Sequence, residues 1–132
     1  MAVVMLNPST ADATNDDPTL RRCIAFAARE GHGAVEILNL FAYRATAPAV
    51  LRAAADPVGP DNDRHLEALF ERQRTVLAAW GAHGGLAARA EAVVRMATGR
   101  GVRLTCLGRT VAGQPRHPLY VRADSGLLPF AG

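Results

Sequence analysis

Residues 3–12 read Val3-Val4-Met5-Leu6-Asn7-Pro8-Ser9-Thr10-Ala11-Asp12. An apolar run stops here at an Asn-Pro turn that is crowded with small polar groups. Because Pro8 fixes its own φ and keeps Asn7 out of the helical region, the chain turns where the run ends. Ser9 and Thr10 are suited to cap a following helix, whose first N–H groups favour an anion such as phosphate. The stretch predicts a strand ending at a ligand-binding turn, with a plain capped turn as the alternative.

Strand-like and helix-like segments alternate along the rest of the chain. The strand-like runs are Val3–Leu6, Val35–Leu40, Thr75–Trp80 and Val102–Leu107. The helix-like stretches are Thr19–Arg29, Ala47–Ala55, Asp61–Arg72 and Leu86–Thr98. This alternation predicts one α/β domain over residues 1–132, a three-layer α/β/α sandwich around a four-stranded parallel sheet. Beyond Gly108 we expect loop, with one short strand at Leu119–Val121.

The composition fits one compact domain. With 132 residues, 49% of them hydrophobic, the chain can bury one core and is too short for two ordinary domains. Its apolar runs are too short to span a bilayer and its start lacks the pattern of a secretory signal, so we expect a soluble, cytoplasmic protein. The net charge of +3 permits nucleic acid as a partner without requiring it.

Several kinds of chemistry lack their usual signals in this sequence. All 15 basic residues are arginine, so an imine would have to form on the terminal amine. Cys23 and Cys106 have no paired spacing, and the scattered histidines form no ligand pattern, so we expect reduced core thiols, no metal and no cofactor. A phosphate-binding glycine loop with lysine and a Gly-x-Ser-x-Gly turn are also missing.

Three polar side chains stand at or after the ends of predicted parallel strands: Asn7, Asn39 and His117. Because those ends share one edge of a sheet, the three are expected to converge on one pocket. Asn39 interrupts an apolar strand, so its amide needs a partner, supplied either by an internal bond or by a ligand. His117 is either a ligand-binding imidazole or an ordinary histidine of a surface turn.

A resemblance to known families rests on residues 5–12, Cys106-Leu107-Gly108 and Gln114-Pro115-Arg116-His117-Pro118-Leu119-Tyr120. Over nearly its whole length the chain resembles a bacterial domain of unknown function, family 1643. At a greater distance, its motif order resembles the uracil-DNA glycosylase superfamily, which has Gly-x-Asn-Pro-Gly or Gly-x-Asp-Pro-Tyr, a base-reading Asn, Leu-Trp-Gly and His-Pro-Ser-Pro-Leu. The corresponding runs here are Met5-Leu6-Asn7-Pro8-Ser9, Ile37-Leu38-Asn39-Leu40, Ala79-Trp80-Gly81-Ala82-His83 and His117-Pro118-Leu119.

The resemblance implies a uracil-DNA glycosylase-like fold and a role for each motif. Asn7 would position the hydrolytic water, Asn39 would read the base edge, and His117 would stabilise the departing base anion. The expected base-binding partners of Asn39 are Pro8, Phe41 and Tyr43. The residues expected at phosphate or nucleic acid, with the wedge at Leu119 or Tyr120, are Ser9, Thr10, Arg44, Arg109, Arg116, Leu119 and Tyr120.

These observations lead to one expected function and two alternatives. We expect a monofunctional hydrolase of N-glycosidic bonds that releases an altered base from nucleic acid, with DNA as the first choice, and needs no cofactor. One alternative is a binding module that recognises a nucleobase, a nucleotide or nucleic acid in the same pocket without cleavage. The other is a hydrolase of free nucleosides. A membrane partner is not expected, and the sequence leaves the oligomeric state open.

Overall fold

A five-stranded, mostly parallel sheet forms the centre of the molecule. The computed structural model describes residues 1–8, 17–45 and 47–131, apart from the side chain of Ala87. The strands are β1 (Ala2–Met5), β2 (Glu36–Asn39), β3 (Thr75–Ala78), β4 (Arg103–Cys106) and β5 (Leu128–Ala131). Their order is β2-β1-β3-β4-β5, in which the first four pair in parallel and β5 pairs antiparallel with β4. The carboxyl ends of β1 to β4 therefore share one edge.

Helices cover both faces of this sheet. They are α1 (Pro18–Arg29), α2 (Pro48–Ala53), α3 (Asn62–Arg72) and α4 (Arg89–Thr98), and 3₁₀ helices lie at Ala82–Ala88 and Pro118–Tyr120. On one face, Cys23 and Phe26 of α1 pack with Val3 and Met5 of β1. On the other face, buried residues of α3 and α4 form the larger core cluster with alternate strand residues. The expected α/β class and the helices on both faces are confirmed.

The central position of β1 explains its unbroken apolar sequence. All four of its residues are buried, with Val3 and Val4 fully inaccessible and pointing to opposite faces. A parallel strand covered on both faces is expected to be apolar throughout, without polar alternation. None of the helices in the described part of the chain is long and apolar enough to cross a membrane.

Three expectations for the second half of the chain were wrong. The sheet has five strands, since Leu128–Ala131 forms an antiparallel edge strand where we expected loop. Its Pro129 lacks an N–H group and is tolerated because the strand lies at an edge. The strand expected at Leu119–Val121 is instead the 3₁₀ helix Pro118–Tyr120, because Pro118 is preset for a helical first position. A 3₁₀ helix at Ala82–Ala88 also precedes α4, so that α4 begins at Arg89 and not at the expected Leu86.

Candidate functional site

A cleft of about 890 Å³ opens at the carboxyl edge of the parallel strands. Asn7 follows β1, Asn39 is the last residue of β2, and His117 lies in the loop between β4 and β5. All three line this cleft, as the sharing of one sheet edge predicts. Its volume is within the range of sites for small organic ligands. Other residues of its wall are Met5, Pro8, Asp17, Arg44, Ala45, Trp80, Gly81, His83, Arg116 and Tyr120.

The ring of His117 is held in one tautomer. Its Nδ1 accepts a hydrogen bond from the backbone N–H of Leu119 (3.1 Å) and so caps the 3₁₀ helix that follows. Burial holds the pKa of His117 below its ordinary value, and the charge of Asp17 opposes this shift in part. The ring is therefore neutral near pH 7, and because Nδ1 is an acceptor, Nε2 carries the proton.

Gly81, three residues after β3, lies against the His117 segment. Its φ of +78° is in the region that favours glycine, and its N–H donates to the carbonyl of Pro115 (2.8 Å). A Cβ at this position would lie 3.4 Å from the Cβ of His117. The N–H of Gly81 thus holds the His117 segment beside the chain that follows β3.

Asn7 joins two loops through its side-chain nitrogen. Nδ2 donates to the carbonyls of Ala45 (2.8 Å), Tyr43 (3.1 Å) and Pro8 (3.2 Å). Because three carbonyl oxygens surround this nitrogen, the orientation of the amide is set, and Oδ1 is its acceptor end. Asn7 therefore holds the turn after β1 against the loop after β2, and only Oδ1 remains suited to bind water.

The end of β2 is held from behind by a buried polar cluster. Nδ2 of Asn62 donates to the carbonyls of Asn39 (2.9 Å) and Leu40 (3.0 Å), and Nε of Arg89 donates to Leu40 (2.7 Å). Arg89 is buried and also pairs with Asp63. These bonds fix the backbone of Asn39. Within the described part of the chain, no residue hydrogen-bonds its side-chain amide, which remains for a ligand.

Asp17 brings a carboxylate to the cleft, and sequence analysis missed it. Its Oδ1 accepts from the N–H groups of Thr19 (3.0 Å) and Leu20 (3.1 Å), which caps α1. Among the wall residues that the structure describes, Asp17 is the only acidic one. An aspartate before Pro18 is a recognisable cap signal. Its approach to His117 was not predictable in the same way, because the two residues are 100 positions apart and only tertiary contacts bring them together.

Trp80 separates the cleft from a second cavity. The buried indole donates from Nε1 to Oε1 of Gln114 (2.8 Å) and meets Phe130 edge-on, with ring centroids 5.7 Å apart. Trp80 also lines a cavity of about 400 Å³ beside α4. A Cβ on Gly84 would fall 1.9 Å from Cδ1 of Trp80, so the indole occupies the space that this glycine leaves open.

Several expected nucleic-acid contacts lie at the rim of the cleft. Arg44 and Arg116 line it, and Nη2 of Arg116 donates to the carbonyl of Tyr120 (3.2 Å). Tyr120 is 73% exposed, and its ring centroid lies 5.3 Å from that of His117. Pro8 is also in the wall. These four residues are placed where a ligand in the cleft could reach them.

Other expected site residues lie elsewhere. Phe41 is fully buried in the larger core cluster, so its ring does not reach the cleft, and we correct the expectation that it stacks on a base. Tyr43 and Leu119 are exposed but are not among the wall residues. Arg109 donates to the carbonyl of Phe130 (2.8 Å) and lies over its ring, outside the cleft wall. Ser9 and Thr10, which we expected at phosphate or nucleic acid, lie outside the described residues.

Sequence patterns did not predict the groups that support the site from behind. Asn62 and Arg89 are polar residues in helices that sequence alone assigns to solvent, and their carbonyl partners lie 22 to 49 positions away. In the described residues, no group of three or more His, Cys, Asp or Glu side chains is arranged to hold a metal ion.

The chain was also compared with models of known protein families. A family described as "Protein of unknown function (DUF1643)" matches residues 1–119, a span that includes Asn7, Asn39 and His117. No curated protein and no solved structure matches the chain.

Proposed function

Since the chain belongs to this family of proteins of unknown function, we propose its function from the cleft itself. We infer that it hydrolyses the N-glycosidic bond of an altered nucleobase in nucleic acid, as its resemblance to uracil-DNA glycosylases implies. The observation that carries the proposal is the neutral His117, whose Nδ1 accepts from Leu119 and whose proton therefore lies on Nε2.

The His117 tautomer suits the departing base. When the bond between the sugar carbon and the base nitrogen breaks, its electron pair stays on the base as a developing anion. A fixed N–H donor in a partly buried site stabilises such charge most strongly in the transition state. Because the ring is fixed by the Leu119 N–H, little reorganisation is needed when the charge appears.

Asn39 and the acceptors of the wall complete the proposed site. The side-chain amide of Asn39 offers donors and an acceptor, which is the pattern needed to read a base edge. Water that adds to the sugar carbon can be bound by Oδ1 of Asn7 or by Asp17, whose Oδ1 caps α1 and whose Oδ2 makes no bond to the cap. The products are the free base and an abasic sugar that carries the water oxygen.

Arg44 and Arg116 are the proposed phosphate contacts at the rim of this cleft. Each phosphate that an arginine neutralises releases counterions, so affinity falls as salt rises. Arg116→Gln should weaken oligonucleotide binding and lower the slope of log affinity against log salt by about one. Arg109→Gln is the matched control, since Arg109 lies outside the wall, and it should leave the slope unchanged.

The decisive experiment measures base release from labelled oligonucleotides that contain uracil, hypoxanthine or another altered base. His117→Ala should lower the release rate by roughly a hundredfold or more with little change in affinity, because the anion develops only in the transition state. His117→Asn is the sharper variant, since Asn can still cap the 3₁₀ helix but has no Nε2–H. Full activity of His117→Asn would contradict the proposed role.

A second candidate function is base recognition without cleavage. It is favoured because Asn7 and Asp17, the two residues proposed to bind the water, already make structural hydrogen bonds. The Asn7 amide N–H groups hold two loops together, and Oδ1 of Asp17 caps α1. A wild-type protein that binds altered bases and releases none, with His117→Ala behaving identically, would select this candidate.

A further inference from the structure

Tyr120 is an exposed aromatic ring on a rigid support. The residue is 73% exposed, yet its backbone is held on both sides: its N–H donates to the carbonyl of His117 (3.0 Å), and its carbonyl accepts from Arg116 (3.2 Å). Pro118, at the start of the same 3₁₀ helix, is buried. Because the backbone under the ring is already held, little backbone entropy is lost when a ligand stacks on the ring.

Arg22 fixes this segment to α1. Its Nε donates to the carbonyl of Pro118 (3.2 Å), and its Nη2 donates to the carbonyl of Val121 (3.1 Å). These two carbonyls flank the tyrosine, so the 3₁₀ helix cannot swing away from the helix without losing both bonds. Leu20 of α1 is also 40% exposed and lines the same cleft as Tyr120.

From this geometry we infer that Tyr120 is a stacking platform for the nucleotide next to the base bound in the cleft, and that it receives a single nucleic-acid strand. The inference rests on the nucleic-acid part of the proposed function. The Tyr120 ring contacts His117 at one side, with centroids 5.3 Å apart and planes at 45°, and is otherwise open to solvent. Stacking on an aromatic ring is available to any base.

Two features favour a single strand over a duplex. In a duplex, the neighbouring base is covered by its own stack, so that Tyr120 could reach it only after costly unstacking. The electrostatic footprint is also small, since two arginines line the described wall and Asp17 opposes them. Tight duplex binding usually neutralises many more phosphates. A short strand supplies an open base face and needs few ionic contacts.

The test measures binding to a fluorescein-labelled oligothymidine strand of about 12 nucleotides, a length within known single-strand site sizes. Fluorescence anisotropy at low salt gives Kd without requiring base release. Tyr120→Ala should weaken binding roughly 5- to 150-fold, which corresponds to one stacked base. Tyr120→Phe keeps the flat ring and should stay within about twofold of wild type, whereas Tyr120→Leu keeps an apolar contact with His117 and should resemble Tyr120→Ala.

Val111→Ala is the matched control, since Val111 is a fully exposed apolar residue outside the cleft wall, and it should bind like wild type. Wild type should also bind the strand more tightly than the matching duplex. Equal binding by Tyr120→Ala and wild type would overturn the platform, and tighter binding of the duplex would overturn the single-strand assignment. The same series on an oligouridine strand identifies which sugar the site prefers.

The result separates this inference from the proposed hydrolysis. If the Tyr120 series behaves as expected and no altered base is ever released, the platform stands and hydrolysis falls. If bases are released and Tyr120→Ala acts on strands as well as wild type does, hydrolysis stands and the platform falls.

Discussion

Replacing Asn7 by aspartate tests whether this residue acts first as a structural link or as a catalyst. A carboxylate is a stronger base than an amide, so a residue whose main task is to activate water should gain from Asn7→Asp. The structure leads to the opposite expectation. Nδ2 of Asn7 donates to Ala45, Tyr43 and Pro8, and a carboxylate would place a negative oxygen against those three carbonyls.

The magnitude follows from the bonds that are lost. An amide has two N–H donors, and each intramolecular hydrogen bond contributes about 1 kcal/mol net, so Asn7→Ala should lower the free energy of unfolding by ~2 kcal/mol. Asn7→Asp loses the same donors and adds repulsion, for a total of ~3 kcal/mol. At roughly 3 °C per kcal/mol for a domain of this size, Tm should fall by ~6 and ~9 °C.

The deficit of Asn7→Asp should depend on pH. Facing carbonyl oxygens raises the pKa of the introduced carboxyl in the folded state, so stability is lost as pH rises through that pKa. The loss should therefore be larger at pH 7 than near pH 4, where the protonated carboxyl can donate one bond. Urea unfolding of wild type, Asn7→Ala and Asn7→Asp at both pH values measures this. An Asn7→Asp protein that is as stable as wild type at pH 7 and more active would refute the reasoning.

Three further predictions concern other described groups. In an ¹⁵N NMR titration, His117 should show the Nε2–H tautomer and a pKa below its ordinary 6.5, because burial disfavours the charged ring. The free energy of unfolding should accordingly fall as the pH drops below about 6.5, because the unfolded chain binds the proton before the folded one does. Gly84→Ala should lower the free energy of unfolding by ~1–3 kcal/mol or more, since its Cβ would meet Trp80 at 1.9 Å; an unchanged Tm would contradict that contact. Burial, with a smaller contribution from Asp17, raises the pKa of Cys23 to about 11. Iodoacetamide at pH 8 should therefore label this thiol only after urea is added, and rapid labelling of Cys23 in the native protein would contradict its burial.

Sequence patterns were sufficient for the parts of the fold that local chemistry determines. β1 was predictable because a strand buried on both faces has to be apolar throughout, and α1 because its apolar positions recur at helical spacing. β5 was missed because Leu128-Pro129-Phe130-Ala131 is short and contains proline, and only its pairing with β4 makes it a strand.

The site was predictable to the extent that topology alone places it. Parallel strands bring Asn7 and Asn39 to one edge whatever the details of packing, and both line the cleft. The tautomer of His117 depends on an N–H two residues away in a 3₁₀ helix, where the sequence had indicated a strand. The clamp of Asn62 on the end of β2 depends on an arrangement of side chains in the folded core, which periodicity does not encode.

The position of Trp80 gives the protein an intrinsic optical probe. It is the only tryptophan in the chain, its indole is buried with Nε1 bonded to Gln114, and the residue is one of those that line the cleft. Indole emission responds to the polarity around the ring, and a base that displaces water from this wall changes that polarity. Emission excited near the red edge of protein absorption should therefore follow the filling of the cleft in unlabelled protein.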